Sequence, residues 1–184
     1  MTPKAASLER QAFSLAPLKL LFKAALAVCV WSTIAPAQPP TVMLDGNPET
    51  AGISPAPASV IAGEKLTIAV TVENARNVHS YSVKLTFDPG IVSFDGAAAG
   101  LSPQTPAFLE SNKGRIAAFL PVAGNGTVEI AAAQSGQDPA LCAAGSGTLG
   151  YLYFTARSSG NPRITVTEAR LIDVNGASTF TGIR

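Results

Sequence analysis

The side chains from which chemistry would have to be assembled are few: one histidine, two cysteines and twelve carboxylates in 184 residues. A nucleophilic triad needs a base, and His79 is the only imidazole. It shares an alternating row with Tyr81, Val83, Leu85 and Phe87, where a hydrogen-bonded core histidine is the expectation. No second histidine exists to complete a metal set with Cys142. Glycoside hydrolysis would need two carboxyl groups facing each other across a cleft, whereas the acids here stand singly and mostly at turns. Asp173-Val174-Asn175-Gly176 has the start of a calcium loop, but Ala177, Ser178 and Thr179 do not continue the ligand pattern and no closing Glu follows. A glycine turn between strands is the expectation there. The residues therefore predict no catalytic group, no metal ligand and no cofactor.

What remains is binding, and the N-terminus says where it takes place. Lys4, Arg10, Lys19 and Lys23 precede an apolar run from Ala24 to Trp31 and the small-residue pattern Ala35-Pro36-Ala37. That order predicts a secretory signal peptide over residues 1–37 and an extracytoplasmic mature chain. The run is too short to span a hydrocarbon core of ~30 Å, so no membrane anchor is expected after cleavage. The mature chain from Gln38 keeps 9 basic and 11 acidic residues, a formal net charge of −2. This lacks the basic excess of a nucleic-acid binder. Cys29 and Trp31 leave with the signal, so Cys142 has no intramolecular disulfide partner.

Residues 38–52 read as a Pro-rich linker, since Pro36, Pro39, Pro40, Pro48, Pro55 and Pro57 crowd into 36–57. The folded domain is placed at 53–184. Within it the apolar period is two, not 3.6. Leu66–Val72 and His79–Phe87 alternate clearly, and further strands read at Ile91–Phe94, Arg115–Leu120, Thr127–Ala132, Thr148–Ala156 and Arg163–Ile172. Asp88-Pro89-Gly90, Gly124-Asn125-Gly126 and Val174-Asn175-Gly176 supply the turns. Short strands at this spacing predict an all-β, antiparallel sandwich.

Several of these segments, taken in order, resemble the cohesin domain family. They are Ala62-Gly63-Glu64-Lys65-Leu66-Thr67-Ile68-Ala69-Val70, then Leu85-Thr86-Phe87-Asp88-Pro89-Gly90-Ile91-Val92, then Gly145-Ser146-Gly147-Thr148-Leu149 running to Phe154, then Leu171-Ile172-Asp173-Val174-Asn175-Gly176. The resemblance covers about 53–183. It implies a jelly-roll sandwich of about nine strands that binds and does not catalyse, with a dockerin-like or other extracytoplasmic protein as partner. It also implies that the partner docks on one flat sheet face, in which Ser80, Ser82, Lys84 and Thr86 form the outward row. In the best-known cohesin type, an Asn and an Asp stand where this chain has Ser80 and Ser82. A serine keeps a hydroxyl but loses the charge and the reach.

A carbohydrate ligand is the alternative, because cohesins share their sandwich with cellulose-binding modules. A sugar platform needs exposed rings along one face. If Phe154 points into the core, Tyr151 and Tyr153 point outward together, roughly 7 Å apart.

Overall fold

The computed structural model describes residues 38–100 and 107–184. The expected signal peptide lies outside them. Among the described residues ten strands form in chain order: β1 (Thr41–Asp45), β2 (Lys65–Val78), β3 (Ser80–Thr86), β4 (Val92–Ala98), β5 (Ile116–Gly124), β6 (Thr127–Gln134), β7 (Ala143–Ala156), β8 (Thr165–Ile172), β9 (Ser178–Phe180) and β10 (Gly182–Ile183). They build two five-stranded sheets, ordered β10-β1-β2-β7-β4 and β5-β6-β3-β8-β9. All pairings are antiparallel except β1 with β10. The expected all-β sandwich of about nine strands is what forms, with ten strands among the described residues.

The period-two pattern explains the layering. In β3 the inward residues Tyr81, Val83 and Leu85 are 3%, 0% and 0% exposed, while Ser80, Ser82, Lys84 and Thr86 stand on the other face. The inward rows of both sheets meet in one apolar core, with Ile68, Val70, Leu152 and Phe154 opposite Val83, Leu85, Val128 and Ile130. Phe87 and Phe94 each meet Phe154 edge-on, at ring centroids 5.3 and 5.6 Å apart. A short 3-10 turn, Phe108–Glu110, buries Phe108 and Leu109 at one end of the core.

Two expectations are overturned. The stretch read as linker, 38–52, contains a core strand. Within it, β1 pairs with β2 from Thr41↔Glu73 to Asp45↔Ala69, and Val42 is fully buried. The prolines flank the strand without interrupting it, because Thr41-Val42-Met43-Leu44-Asp45 itself is proline-free. The second concerns His79. It is only half-buried, because β2 and β3 belong to different sheets and His79 is the single residue between them. At this crossing its N–H donates to the Ile172 carbonyl at 2.9 Å, and its own carbonyl accepts from the Gln134 N–H at 2.9 Å. Its Nε2 lies 2.7 Å from the Gly136 carbonyl, which can only accept, so Nε2 carries the proton.

Strands β2 and β7 are long, at 14 residues each, and are bent by bulges. Asn74 and Asn77 sit in the left-handed region at φ 57° and 50°, where the β2–β7 register slips. Asn tolerates that conformation better than most residues with a Cβ. A third slip, between Val70 and Thr71, leaves Leu149 of β7 without a register partner. The buried Tyr81 hydroxyl donates to the Leu149 carbonyl across the sandwich.

Candidate binding face

Strand β3 lies at the centre of its sheet, between β6 and β8. Its outward row therefore extends into cross-strand rows over four strands. The register places Ser82 beside Ala131 and Arg170, and Ala131 beside Leu120 of β5. One step along, Lys84 stands between Glu129 and Glu168, and Glu129 faces Val122. Ser80 adjoins Ala133 and Ile172, and Thr86 adjoins Thr127 and Thr165. The four residues expected to share a face do so. Small side chains fill much of its middle, and strands pack about 4.8 Å apart, so a partner's backbone can approach closely.

Polar groups on this face are largely occupied by one another. The Ser82 hydroxyl donates to Glu129 Oε1 at 2.6 Å. Glu168 and Arg170 form an ion pair at 2.5 Å. The Thr86 and Thr165 hydroxyls are 3.0 Å apart, and the Thr167 hydroxyl donates to the Lys84 carbonyl at 3.1 Å. Lys84 is exposed.

Two residues that sequence reading missed complete the face. Leu120 and Val122 of β5 are 60% and 65% exposed, although both are large and apolar. They stand at the open edge of the sheet, since β5 pairs only with β6. The sequence did carry a signal. Phe119-Leu120-Pro121-Val122 is apolar at both parities, whereas a half-buried strand alternates. Pro121 also marks an edge strand.

The two tyrosines on the other sheet do not form the expected exposed pair. Tyr151 is 6% exposed, and Tyr153 is half-buried. Tyr151 lies in a row on the outer side of its sheet with Asp45, Ala69 and Ala98. Asp45 and Ala69 are buried as well, although none of the three belongs to the main core. At the Asp45 end of this row the chain doubles back. One oxygen of the Asp45 carboxylate accepts the N–H groups of Asn47 and Ser54, each at 3.0 Å. The Gly46 N–H bonds the Ser54 carbonyl at 2.8 Å, and a Cβ on Gly46 would come within 2.5 Å of the Pro55 carbonyl oxygen. The proline-rich segment thus folds beside β1, and a ring buried like Tyr151 cannot stack on a sugar.

The remaining chemical candidates are structural. Cys142 is 3% exposed, and burial, reinforced by the negative charges of Asp173 and Asp138, raises its thiol pKa. Asp173 Oδ1 accepts the N–H groups of Asn175 and Ala177 at 2.8 and 2.9 Å, which closes the turn expected there. Among the described residues no three His, Cys, Asp or Glu side chains are grouped to hold a metal ion.

The same architecture recurs in solved structures. A non-cellulosomal cohesin from Archaeoglobus fulgidus superposes with a TM-score of 0.54 at 16% identity, covering 79% of this chain and 86% of that one. The sixth cohesin of scaffoldin B from Acetivibrio cellulolyticus, solved in complex with a mutant Cel5 dockerin, gives 0.58 at 11%, with coverages of 80% and 95%. A type I cohesin–dockerin complex from Clostridium thermocellum gives 0.56 at 14%, with coverages of 79% and 89%. No curated protein sequence matches the chain. At these identities the superpositions speak to the fold. The family model for the cohesin domain, however, matches residues 53–179, most of the chain, and on that match the chain belongs to the cohesin domain family.

Proposed function

We propose that this protein is an exported, non-catalytic binding module that captures a dockerin-type protein on the outer face of β5, β6, β3 and β8. The observation that carries the reading is the exposed Leu120–Val122 pair at the edge of a face that also carries the small residues Ser80, Ser82, Ala131, Ala133 and Thr86 and the charged Lys84, Glu129, Glu168 and Arg170. Exposed large apolar side chains beside a polar surface of small residues suit a partner that buries them. Membership of the cohesin family and the dockerin complexes among the solved cohesins support the choice of partner.

Catalysis plays no part in this role. A dockerin contact here differs from the family's usual one, because Ser80 and Ser82 replace longer, more polar side chains and Ser82 is already bonded to Glu129. The apolar edge then contributes more of the affinity. Burying one Leu or Val side chain is worth about 1.5–3 kcal/mol.

The test is biolayer interferometry of the purified protein against a panel of dockerin modules. At least one should bind. The Leu120→Ser/Val122→Ser variant should weaken that binding tenfold or more while keeping the melting temperature of the parent. Failure of every dockerin, or binding indifferent to the double substitution, overturns the reading. Export rests on the basic start, the apolar run and Ala35-Pro36-Ala37. Intact-mass analysis of protein recovered outside the cytoplasm should show a chain that begins at or near Gln38, and a product retaining residues 1–23 would refute it.

A further inference from the structure

The chain contains two Asn-Gly steps, Asn125-Gly126 and Asn175-Gly176, and the fold treats them differently. Both asparagines are exposed, and both glycines hold a positive φ, 73° and 82°. At Gly176 the backbone is tied down. Its N–H donates to the Asp173 carbonyl at 3.1 Å, and Asp173 Oδ1 takes the N–H groups of Asn175 and Ala177. Asn125 and Gly126 instead form the whole loop between Gly124 and Thr127, the register pair that ends β5 and begins β6. The Gly126 N–H makes no hydrogen bond among the described residues. Only the Gly126 carbonyl is held, accepting the Phe87 N–H at 3.0 Å. The loop also requires glycine. A Cβ on Gly126 would stand 3.0 Å from the Phe87 carbonyl oxygen and 3.2 Å from Pro89 Cδ, at a φ that residues with a Cβ rarely adopt. Asn125 and Gly126 line a solvent-open hollow of about 190 Å³ with Phe87, Pro89 and Arg157.

We infer that Asn125 is a site of spontaneous deamidation and that the folded chain protects Asn175 from the same reaction. The amide nitrogen of the following residue attacks the asparagine Cγ. A bond forms between Gly126 N and Asn125 Cγ, and the Cγ–Nδ2 bond breaks. The Gly126 N–H proton passes through solvent to the departing nitrogen, which leaves as ammonia. Water then opens the cyclic imide. Opening at Cγ leaves aspartate, whereas opening at the main-chain carbonyl leaves isoaspartate, with the chain running through Cβ and Cγ. Water is the only co-reactant. Glycine has no side chain to crowd the attacking nitrogen. A nitrogen whose N–H already donates must first lose that bond, and its turn must open locally. Gly176 is so restrained and Gly126 is not. The isoaspartyl product adds a methylene to the backbone of a two-residue loop whose Gly126 carbonyl is fixed to Phe87. It therefore pulls on that bond and loosens this end of the β5–β6 hairpin.

The test is peptide mapping by mass spectrometry of the purified protein, warmed at mildly alkaline pH for several days. The Asn125 fragment should exchange an amino group for a hydroxyl about tenfold faster than the Asn175 fragment. The same protein unfolded in urea should react at both steps at comparable rates, since the sequence Asn-Gly is common to them. Asn125→Ser should remove the first product. Asp173→Ala should speed the second and leave the first unchanged. After ageing, the parent protein should melt below an identically treated Asn125→Ser protein. Equal rates at the two steps in the folded protein, a faster Asn175, or an Asn125 that stays intact overturns the inference. An unchanged Asn175 rate in Asp173→Ala would remove Asp173 as the source of protection. A melting temperature that does not fall as Asn125 converts would refute the loosening of the hairpin.

Discussion

Tyr81 shows how one side chain can hold both sheets. It enters the core from β3, and its hydroxyl satisfies the Leu149 carbonyl, which the bulge in β7 releases from register. A buried carbonyl left without a donor costs about 1–3 kcal/mol. Tyr81→Phe removes only the hydroxyl, so its unfolding free energy in urea should fall by about that amount. Burial also pushes the Tyr81 phenol far above the ordinary tyrosine range. The folded state therefore keeps a proton that the unfolded chain releases above pH ~10. The stabilisation is complete below that pH and is lost as pH rises beyond it. Melting temperatures measured by circular dichroism between pH 8 and 11 should drop at the alkaline end, and more shallowly in Tyr81→Phe. An identical alkaline slope in both proteins would show that Tyr81 ionises normally.

At the level of elements, the sheet register decides what a surface charge does. Lys84 lies between Glu129 and Glu168 on neighbouring strands. Lys84→Glu would line up three carboxylates across β6, β3 and β8. Like charges directly opposite on a sheet destabilise by roughly 0.2–1 kcal/mol per pair. The Lys84→Glu protein should therefore be about 0.5–2 kcal/mol less stable than Lys84→Gln, with the gap closing at high salt. Equal stabilities at low salt would mean that the three side chains splay apart. The edge strand β5 presents a different case. Nothing in Ile116–Gly124 is charged, so the usual edge guard of lysine is missing. Pro121, which lacks an N–H, and the register slip between Ile116 and Ala118 interrupt the edge instead. That leaves the side-chain face of β5, more than its backbone edge, available to a partner.

For the whole molecule, the N-terminal strand matters more than its composition suggests. Strand β1 covers one edge of β2 and pairs on its other side with the C-terminal β10, so both ends of the domain meet in one sheet. A protein beginning at Ile53, where the family match starts, would lose β1, the buried Val42 and Met43, and the Asp45 hydrogen bonds. Compared with one beginning at Gln38, it should melt at least 10 °C lower or fail to fold, since each fully buried Val or Met is worth about 1.5–3 kcal/mol. Equal melting temperatures in calorimetry would make β1 dispensable.

The sequence by itself determined the sandwich and the direction of its central strand. Alternation in Ser80–Thr86 reports burial on one face, which is a local property of a strand, and the turn residues around it punctuate the chain locally too. The row Ser80, Ser82, Lys84 and Thr86 was legible for that reason. Other features depend on which strand lies beside which, and sequence distance does not encode that. Alternation placed Tyr151 and Tyr153 on one outer face but could not show that Tyr151 is buried there. It placed His79 in the inward row without revealing that the chain changes sheets at that residue. Proline density hid β1, because a five-residue strand between prolines gains its stability from β2 and β10, not from its own propensity. Leu120 ended an expected strand and Val122 lay beyond it, and only the fold, by leaving β5 at an edge, showed that both are exposed. Only the register across β5, β6, β3 and β8 joined them to the serine row, because a binding face is a property of neighbouring strands and not of any one of them.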